Sequence, residues 1–380
     1  MSKYTKLLSV AGLACLPGMA LADGPTLGSL LEGSGIAVTG YTSASYSTNL
    51  NDGKTLFYRA YDGKTDTITI DQASLTIAYA PESGFGATVN ILAGEDSTII
   101  NANYGDGDSI FSLPTAFVSY ANSGLTVIAG RFGSLAGYEV TADNAAPFIS
   151  RSWLFQNTQP FFHTGLRASY KFNDIFTAQL GAVNSAPQAS TVDANKQKTL
   201  EANLTITPVK SLLVSLTNYL GVDDFEAGGT FPVAGPTDGT YTTRTNISDV
   251  VVQWTATDKL TLALNGDIAD FKGIYTARGV ALYGLFQATD LIGFRARVEI
   301  AEQAFKDGNG AGLSGTDSFK VYTGELVLSP SKHFDLLAEV RYDTSNHDVF
   351  PNGFTDSGEG ASPRFKDSGG SFAVKGIFKF

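Results

Sequence analysis

The stretch "SFAVKGIFKF" (Ser371–Phe380) sets Phe372, Val374, Gly376, Phe378 and Phe380 against Ala373, Lys375, Ile377 and Lys379. A period of two is the signature of a strand, with one set of side chains on each face. On a soluble sheet the apolar row packs on a core. On a membrane barrel it faces lipid, with aromatic residues near the interface. One strand does not decide between these readings, and the rest of the chain does.

Residues 1–22, "MSKYTKLLSVAGLACLPGMALA", have a basic start (Lys3, Lys6), an apolar stretch from Leu7 to Leu16 and a small-x-small ending, Ala20-Leu21-Ala22. This pattern predicts a secretory signal peptide cleaved after Ala22, too short to span a membrane as a helix. Lipoprotein processing at Cys15 is the rival, and Gly12 and Leu13 sit poorly before such a cysteine. Two lysines and no acid leave with the signal, which takes the net charge from −11 to −13. Cys15 is the only cysteine, so the secreted chain has no disulfides and needs another source of order, for which hydrogen-bonded strands are the candidate. In residues 23–34, Leu27, Leu30 and Leu31 have helical spacing and Gly33 offers a stop, which fits a short periplasmic helix or plug, or an ordered lead-in with no function.

The acidic balance argues against nucleic acid, whose phosphates want a basic surface. After residue 22 no apolar run reaches the roughly 20 residues of a membrane helix. Instead the chain has a beat. Short polar turns ("PESG", "ANSG", "FND", "TPVKS", "ATDK", "ATD", "SPSK") alternate with longer connections at 50–66, 96–113, 136–162, 184–197, 222–242, 270–276, 304–317 and 344–368. Seven short turns and eight long loops separate 16 strands, the layout of a transmembrane antiparallel β-barrel over residues 35–380.

The faces agree. In "LIGFRARVEIA" Ile292, Phe294, Ala296, Val298 and Ile300 alternate with Arg295, Arg297 and Glu299. Leu336, Ala338, Val340 and Tyr342 alternate with Glu339 and Arg341, and Leu166, Ala168 and Tyr170 with Arg167, Ser169 and Lys171. The charged rows, with Glu325, are expected to line a lumen, and a barrel of about 16 strands is wide enough for water. Both signs are present, so the ion preference stays open. "TITIDQASLTIAY" switches phase near Asp71–Ser74, and "ARGVALYGLFQ" fits either parity.

"DQASLTIAYAP", "AGRFGSLAGYEV", "ISRSWLF" and "FFHTGLRASYKFND", in that order, resemble the beta-barrel porin-2 family, the OmpL-like group. The resemblance runs from about Gly35 to Phe380 and is carried mainly by residues 71–175. It implies an outer-membrane pore of a Gram-negative cell for passive diffusion of small hydrophilic solutes and ions. Outer-membrane lipids and lipopolysaccharide are the expected surroundings. A homotrimer follows by analogy with 16-stranded porins. The closing Phe378 and Phe380 look like the signal read by the barrel assembly machinery. A substrate-specific channel, or an adhesin or receptor on a barrel, is the alternative.

No cofactor, metal site or enzyme is expected. "GAGLSG" matches GxGxxG without the strand and helix that would make it a dinucleotide site. Asp106, Asp108 and Asp307 read as solvated loop acids before calcium ligands. The histidines, His163, His333 and His347, fall on separate loops and turns, with no acid–His or Ser–His pair in view.

The loop "GYEVTADNAAPFISRSWLFQNTQPFF" (Gly137–Phe162) carries Tyr138, Phe148, Trp153, Phe155, Phe161 and Phe162. Water-exposed loops are seldom so apolar, so these rings are expected to pack inside the barrel. Glu139, Asp143, Arg151 and Trp153 would then form the constriction, facing Arg167, Arg295 and Arg297 across a transverse field. An outward loop packed on a neighbouring subunit or on surface sugar is the other reading.

Overall fold

The computed structural model describes residues 31, 33–51, 55–104, 109–186, 195–226, 240–305, 315–354 and 363–380. The expected signal peptide (1–22), most of the 23–34 lead-in, Asp106, Asp108, Asp307 and most of the GxGxxG match lie outside the described residues. Residues 1–36 and 37–380 form two units. In the first, Ser34 closes a turn onto the Leu31 carbonyl through its amide (3.0 Å) and its hydroxyl (2.7 Å).

Strands β1 (Ile36–Asn49), β2 (Thr67–Tyr79), β3 (Gly84–Ala93), β4 (Phe111–Asn122), β5 (Leu125–Gly133), β6 (Phe162–Lys171), β7 (Phe176–Val183) and β8 (Thr199–Val209) make the first half of the barrel. The second half is β9 (Leu212–Glu226), β10 (Thr240–Thr257), β11 (Leu260–Phe271), β12 (Tyr275–Gln287), β13 (Ile292–Phe305), β14 (Gly315–Ser331) and β15 (Phe334–Ser345). A small hairpin, β16 (Phe350–Phe354) and β17 (Pro363–Lys366), precedes the closing strand β18 (Ser368–Lys379). Each barrel strand pairs with its neighbours in sequence, skipping β16 and β17, and β18 closes on β1 from Tyr41↔Lys379 to Asn49↔Ser371. A closed barrel of 16 strands leaves no open sheet edge, the condition for crossing a bilayer with strands.

Inward and outward positions alternate along the strands as the sequence indicates. On β13, Arg297, Glu299 and Ala301 are buried inside, while Phe294, Val298 and Ile300 are exposed outside. Tyr170, Phe172, Trp254, Phe286, Phe294, Phe378 and Phe380 are exposed outward near the short-turn ends of their strands. On β18 the expected outward row holds, with Ser371, Ala373, Lys375 and Ile377 buried inside. The chain end seals the seam: Phe380 donates to Gly40 O (3.0 Å) and accepts from Gly40 N (3.1 Å).

The phase switch in β2 is real. Asp71 and its neighbour Gln72 are both buried, so the strand shifts parity between them. Gly94, at φ +122°, lies directly over the Asp71 carbonyl, where a β-carbon would collide with it. For β12 the ambiguity resolves with Tyr275, Ala277, Ala281 and Tyr283 buried and Val280, Leu282 and Phe286 outside. One expected long loop is not long. β11 and β12 are joined by Lys272, Gly273 and Ile274 alone, with Ile274 N bonded to Phe271 O at 2.9 Å. The loop over 96–113 instead carries helix α1 (Glu95–Tyr104), and the third loop carries helix α2 (Trp153–Asn157).

Candidate functional site: the inward third loop

The third loop, between β5 and β6, is buried. Phe148, Ile149, Arg151, Trp153, Leu154 and Phe155 are all 3% exposed or less. Their burial has two causes. The aromatic rings pack on inward-facing rings of the wall: Trp153 lies 5.2 Å from Phe319, Phe148 6.2 Å from Tyr283, and Tyr138 4.7 Å from Tyr283, centroid to centroid. The loop's backbone, meanwhile, is satisfied by charged wall residues, as buried polar groups must be.

Those contacts run along the wall from β11 to β15. Trp153 N donates to Glu299 Oε2 (2.8 Å), Ile149 N to Glu325 Oε2 (2.9 Å), and Ser150 N to Glu339 Oε2 (3.2 Å). Arg295 donates to the Pro147 carbonyl (2.6 Å), Arg297 to the Ser150 carbonyl (2.9 Å) and Arg341 to the Arg151 carbonyl (2.7 Å). Thr158 Oγ1 donates to Asp267 Oδ2 (2.6 Å). Ser152 caps α2 by accepting from Phe155 N (3.0 Å), and its own amide donates to Glu139 Oε2 (2.7 Å).

Two ion-pair clusters fix the loop. Arg297 Nη1 meets Glu139 Oε1 at 2.7 Å, and its Nε lies 2.9 Å from Glu299 Oε1. Asp143 meets Arg151 (2.9 Å) and Lys375 (2.8 Å) and accepts from Ser43 Oγ (2.6 Å); Lys375 also reaches Asp71 (3.2 Å). Burial alone would push the Asp143 carboxyl up. Lys375 and Arg151 outweigh it and hold the group down at about 2. Asp96, on α1, is pushed up by burial and by Asp143.

The structure thus brings Glu139, Asp143, Arg151 and Trp153 together with Arg295, Arg297, Glu299, Glu325, Glu339 and Arg341. It does not arrange them as expected. The loop acids do not face basic residues across open water: they touch them, and Glu139, Asp143, Arg151 and Arg297 are each almost wholly buried. Arg167 stands apart from the loop acids. It pairs with Glu201 (2.6 Å) and lies 4.3 Å over the Phe132 ring. Lys171 leaves the lumen altogether, at the last residue of β6 and paired with Asp174 of the turn (2.7 Å).

Three groups go beyond the sequence reading. The first long loop also folds inward, with Arg59 pairing with Asp62 (2.9 Å) and Asp343 (3.4 Å) and donating to Ser371 Oγ (2.7 Å). Tyr61, Ile100 of α1 and Leu92 pack with Phe155, Phe161 and Phe162 in one cluster. The aromatic "FYRAY" (Phe57–Tyr61) in an otherwise polar loop is the signal that could have found it. His347 pairs with Asp317 (2.7 Å), so an acid–His pair does exist; it is exposed and bonded to no serine hydroxyl through its ring among the described residues.

A cavity of about 380 Å³ remains on the other side of the loop, against β1 to β5 and on their short-turn side. Its boundary includes Gly40, Ser74, Thr76, Thr88, Asn90 and Thr115 from the wall and Gly137, Val140 and Phe161 from the loop.

The class to which this closed 16-stranded barrel with an inward loop after its fifth strand belongs is decided by the sequence match. The model of the family "Putative beta-barrel porin-2, OmpL-like" matches residues 35–380. The chain belongs to this family. As a porin it resides in the outer membrane and forms a channel. No curated protein matches the porin. Among solved structures it is similar to OprB of Pseudomonas putida (15% identity, 92% of this chain and 96% of that one, TM-score 0.59). It is similar also to OmpT of Vibrio cholerae in a trimer form (12%, 91% and 99%, 0.59) and to an anion-selective porin from Comamonas acidovorans (12%, 91% and 99%, 0.58). At these identities the likeness is one of fold.

Proposed function

We propose that solutes cross this porin between the third loop and the wall of β1 to β5, and that the loop sets the size limit. The observation that supports this is the uneven attachment of the loop. Most of its charges and backbone contacts go to β11 to β15 and β18, Ser43 of β1 and Gln72 of β2 hold only Thr141 and Asp143, and a cavity of about 380 Å³ lies between the loop and β1 to β5. In this reading Glu139, Asp143, Arg151 and Trp153 act by holding the loop in place, with Arg297, Arg341 and Lys375 as their wall partners. Passage is by passive diffusion through water, as in any pore whose selectivity comes from its narrowest point.

We read the protein as a channel without catalytic activity, on the separation of its histidines. His163 is buried against Tyr219 (4.8 Å), His333 lies in a short turn, and His347 lies at the far end of the barrel. A homotrimer is part of the proposal, because a related fold is recorded in a trimer form. So are lipid and lipopolysaccharide contacts on the outward rows, and recognition of Phe378 and Phe380, both exposed outward, by the assembly machinery. Purified protein in planar bilayers tests the channel itself. Discrete conductance steps in potassium chloride are expected, and a folded barrel that gives none overturns the reading.

A further inference from the structure

We infer that the passage selects uncharged, polyhydroxylated ring compounds of about the size of a mono- or disaccharide over charged solutes of equal size. The inference rests on the proposed route and concerns what lines it. Every lumen residue that the sequence offered as a charged ring is engaged elsewhere, so the lining of the cavity is nearly free of charge. Its one carboxylate, Glu139, is 3% exposed and closed off by Arg297 and the Ser152 amide. A charged solute entering here loses hydration and finds no counter-charge, a cost that neutral solutes do not carry.

The lining is polarised in another sense. On the wall side it is hydroxyl and amide: Gln72, Ser74, Thr76, Thr88, Asn90 and Thr115. These groups are pre-oriented, since Asn90 Nδ2 donates to both Ser74 Oγ and Thr76 Oγ1 at 2.8 Å. On the loop side Ala136, Val140, Phe155, Phe161 and Phe162 form an apolar part, beside the polar Ser134, Thr141 and Asn144. Phe155 and Phe161 are stacked on each other at 4.6 Å and packed on Tyr61, so the rings form a fixed surface. A saccharide ring or cyclic polyol has the matching two-sidedness: hydroxyls that donate and accept around its edge, and a C–H face. Hydroxyl and amide side chains also donate and accept, and so can replace its water on one side. The cavity volume of about 380 Å³ falls in the range of small-ligand sites, roughly 300–1,000 Å³.

The test is swelling of liposomes carrying the full-length porin in isosmotic solutes of matched size: a hexose, a disaccharide, a cyclic polyol, a dicarboxylate and a diamine. The neutral compounds should enter several-fold faster than either charged class. Thr88→Val with Thr115→Val, which keeps shape and removes two hydroxyls, should slow the sugars several-fold relative to the dicarboxylate and the diamine. Asn90→Asp should shift the reversal potential toward cation preference and speed the diamine relative to the sugars. Equal entry of neutral and charged solutes, or sugar entry unchanged in the double valine variant, overturns the inference. Absence of any conductance in the wild-type protein would instead overturn the channel reading on which it rests. A heat-dependent shift on a detergent gel shows that each variant is a folded barrel.

Discussion

Arg297 on β13 and Glu139 in the third loop, 158 positions apart in sequence, meet at 2.7 Å with side chains 0% and 1% exposed. Breaking a buried pair by removing one partner costs about 3–5 kcal/mol, because the other charge stays buried without compensation. Here two carboxylates, Glu139 and Glu299, lose the same partner. Arg297→Ala should therefore release the loop while the strand ladder, which does not depend on it, stays closed. Hydrogen exchange at the amides of Ser150 and Trp153 should accelerate sharply, with the detergent-gel shift retained. A triple variant, Arg297→Met with Glu139→Gln and Glu299→Gln, should recover much of the protection, since it removes both carboxylates together with their shared partner.

The Asp143 latch has a defined pH window. Its folded-state carboxyl is depressed to about 2 by Lys375 and Arg151, against burial acting the other way. A depressed acid contributes stability that is fully present above its unfolded value, about 3.9, and is lost as the pH falls through the folded value. Single-channel conductance should thus be constant from neutrality to about pH 4 and rise or become noisy only as the pH approaches about 2. Asp96 is shifted upward, so protonating it on the way down costs the folded state nothing. Loosening near neutral pH would contradict this assignment of charges.

Phe380 is exposed outward at the seam, and its ring covers Gly40, where a β-carbon would collide with it. Phe380→Asp should lower the amount of folded porin in the outer membrane, while the channels that do assemble keep wild-type conductance, because the side chain faces away from the lumen. Normal levels of the variant would count against an assembly role.

What the sequence made legible was periodicity. Strand faces could be read wherever one side is apolar and the other charged, as on β13 and β15, and even the break at Asp71–Gln72 appeared as a shift of phase. The β11–β12 turn was misread as a loop for a physical reason. Phe271 and Tyr275 both point inward and stack 6.1 Å apart, so apolar residues occupy the lumen side and the alternation disappears. The aromatic third loop announced its burial. Its charges could not be paired from sequence, since Glu139 finds Arg297 and Asp143 finds Lys375 only through closure of the barrel. Arg167 and Lys171 were legible as inward parity and no further, because height along a strand decides whether such a residue meets the loop, a wall acid or a turn.

The measurement that bears most directly on the account is single-channel conductance after deletion of Thr141–Gln156. That segment carries Asp143, Arg151, Trp153 and the amides held by Glu299, Glu325 and Glu339. If the inward loop limits the passage, the deleted protein, still a heat-modifiable barrel, should conduct several-fold more and admit larger uncharged solutes. A folded deletion variant with unchanged conductance and unchanged size limit would contradict it.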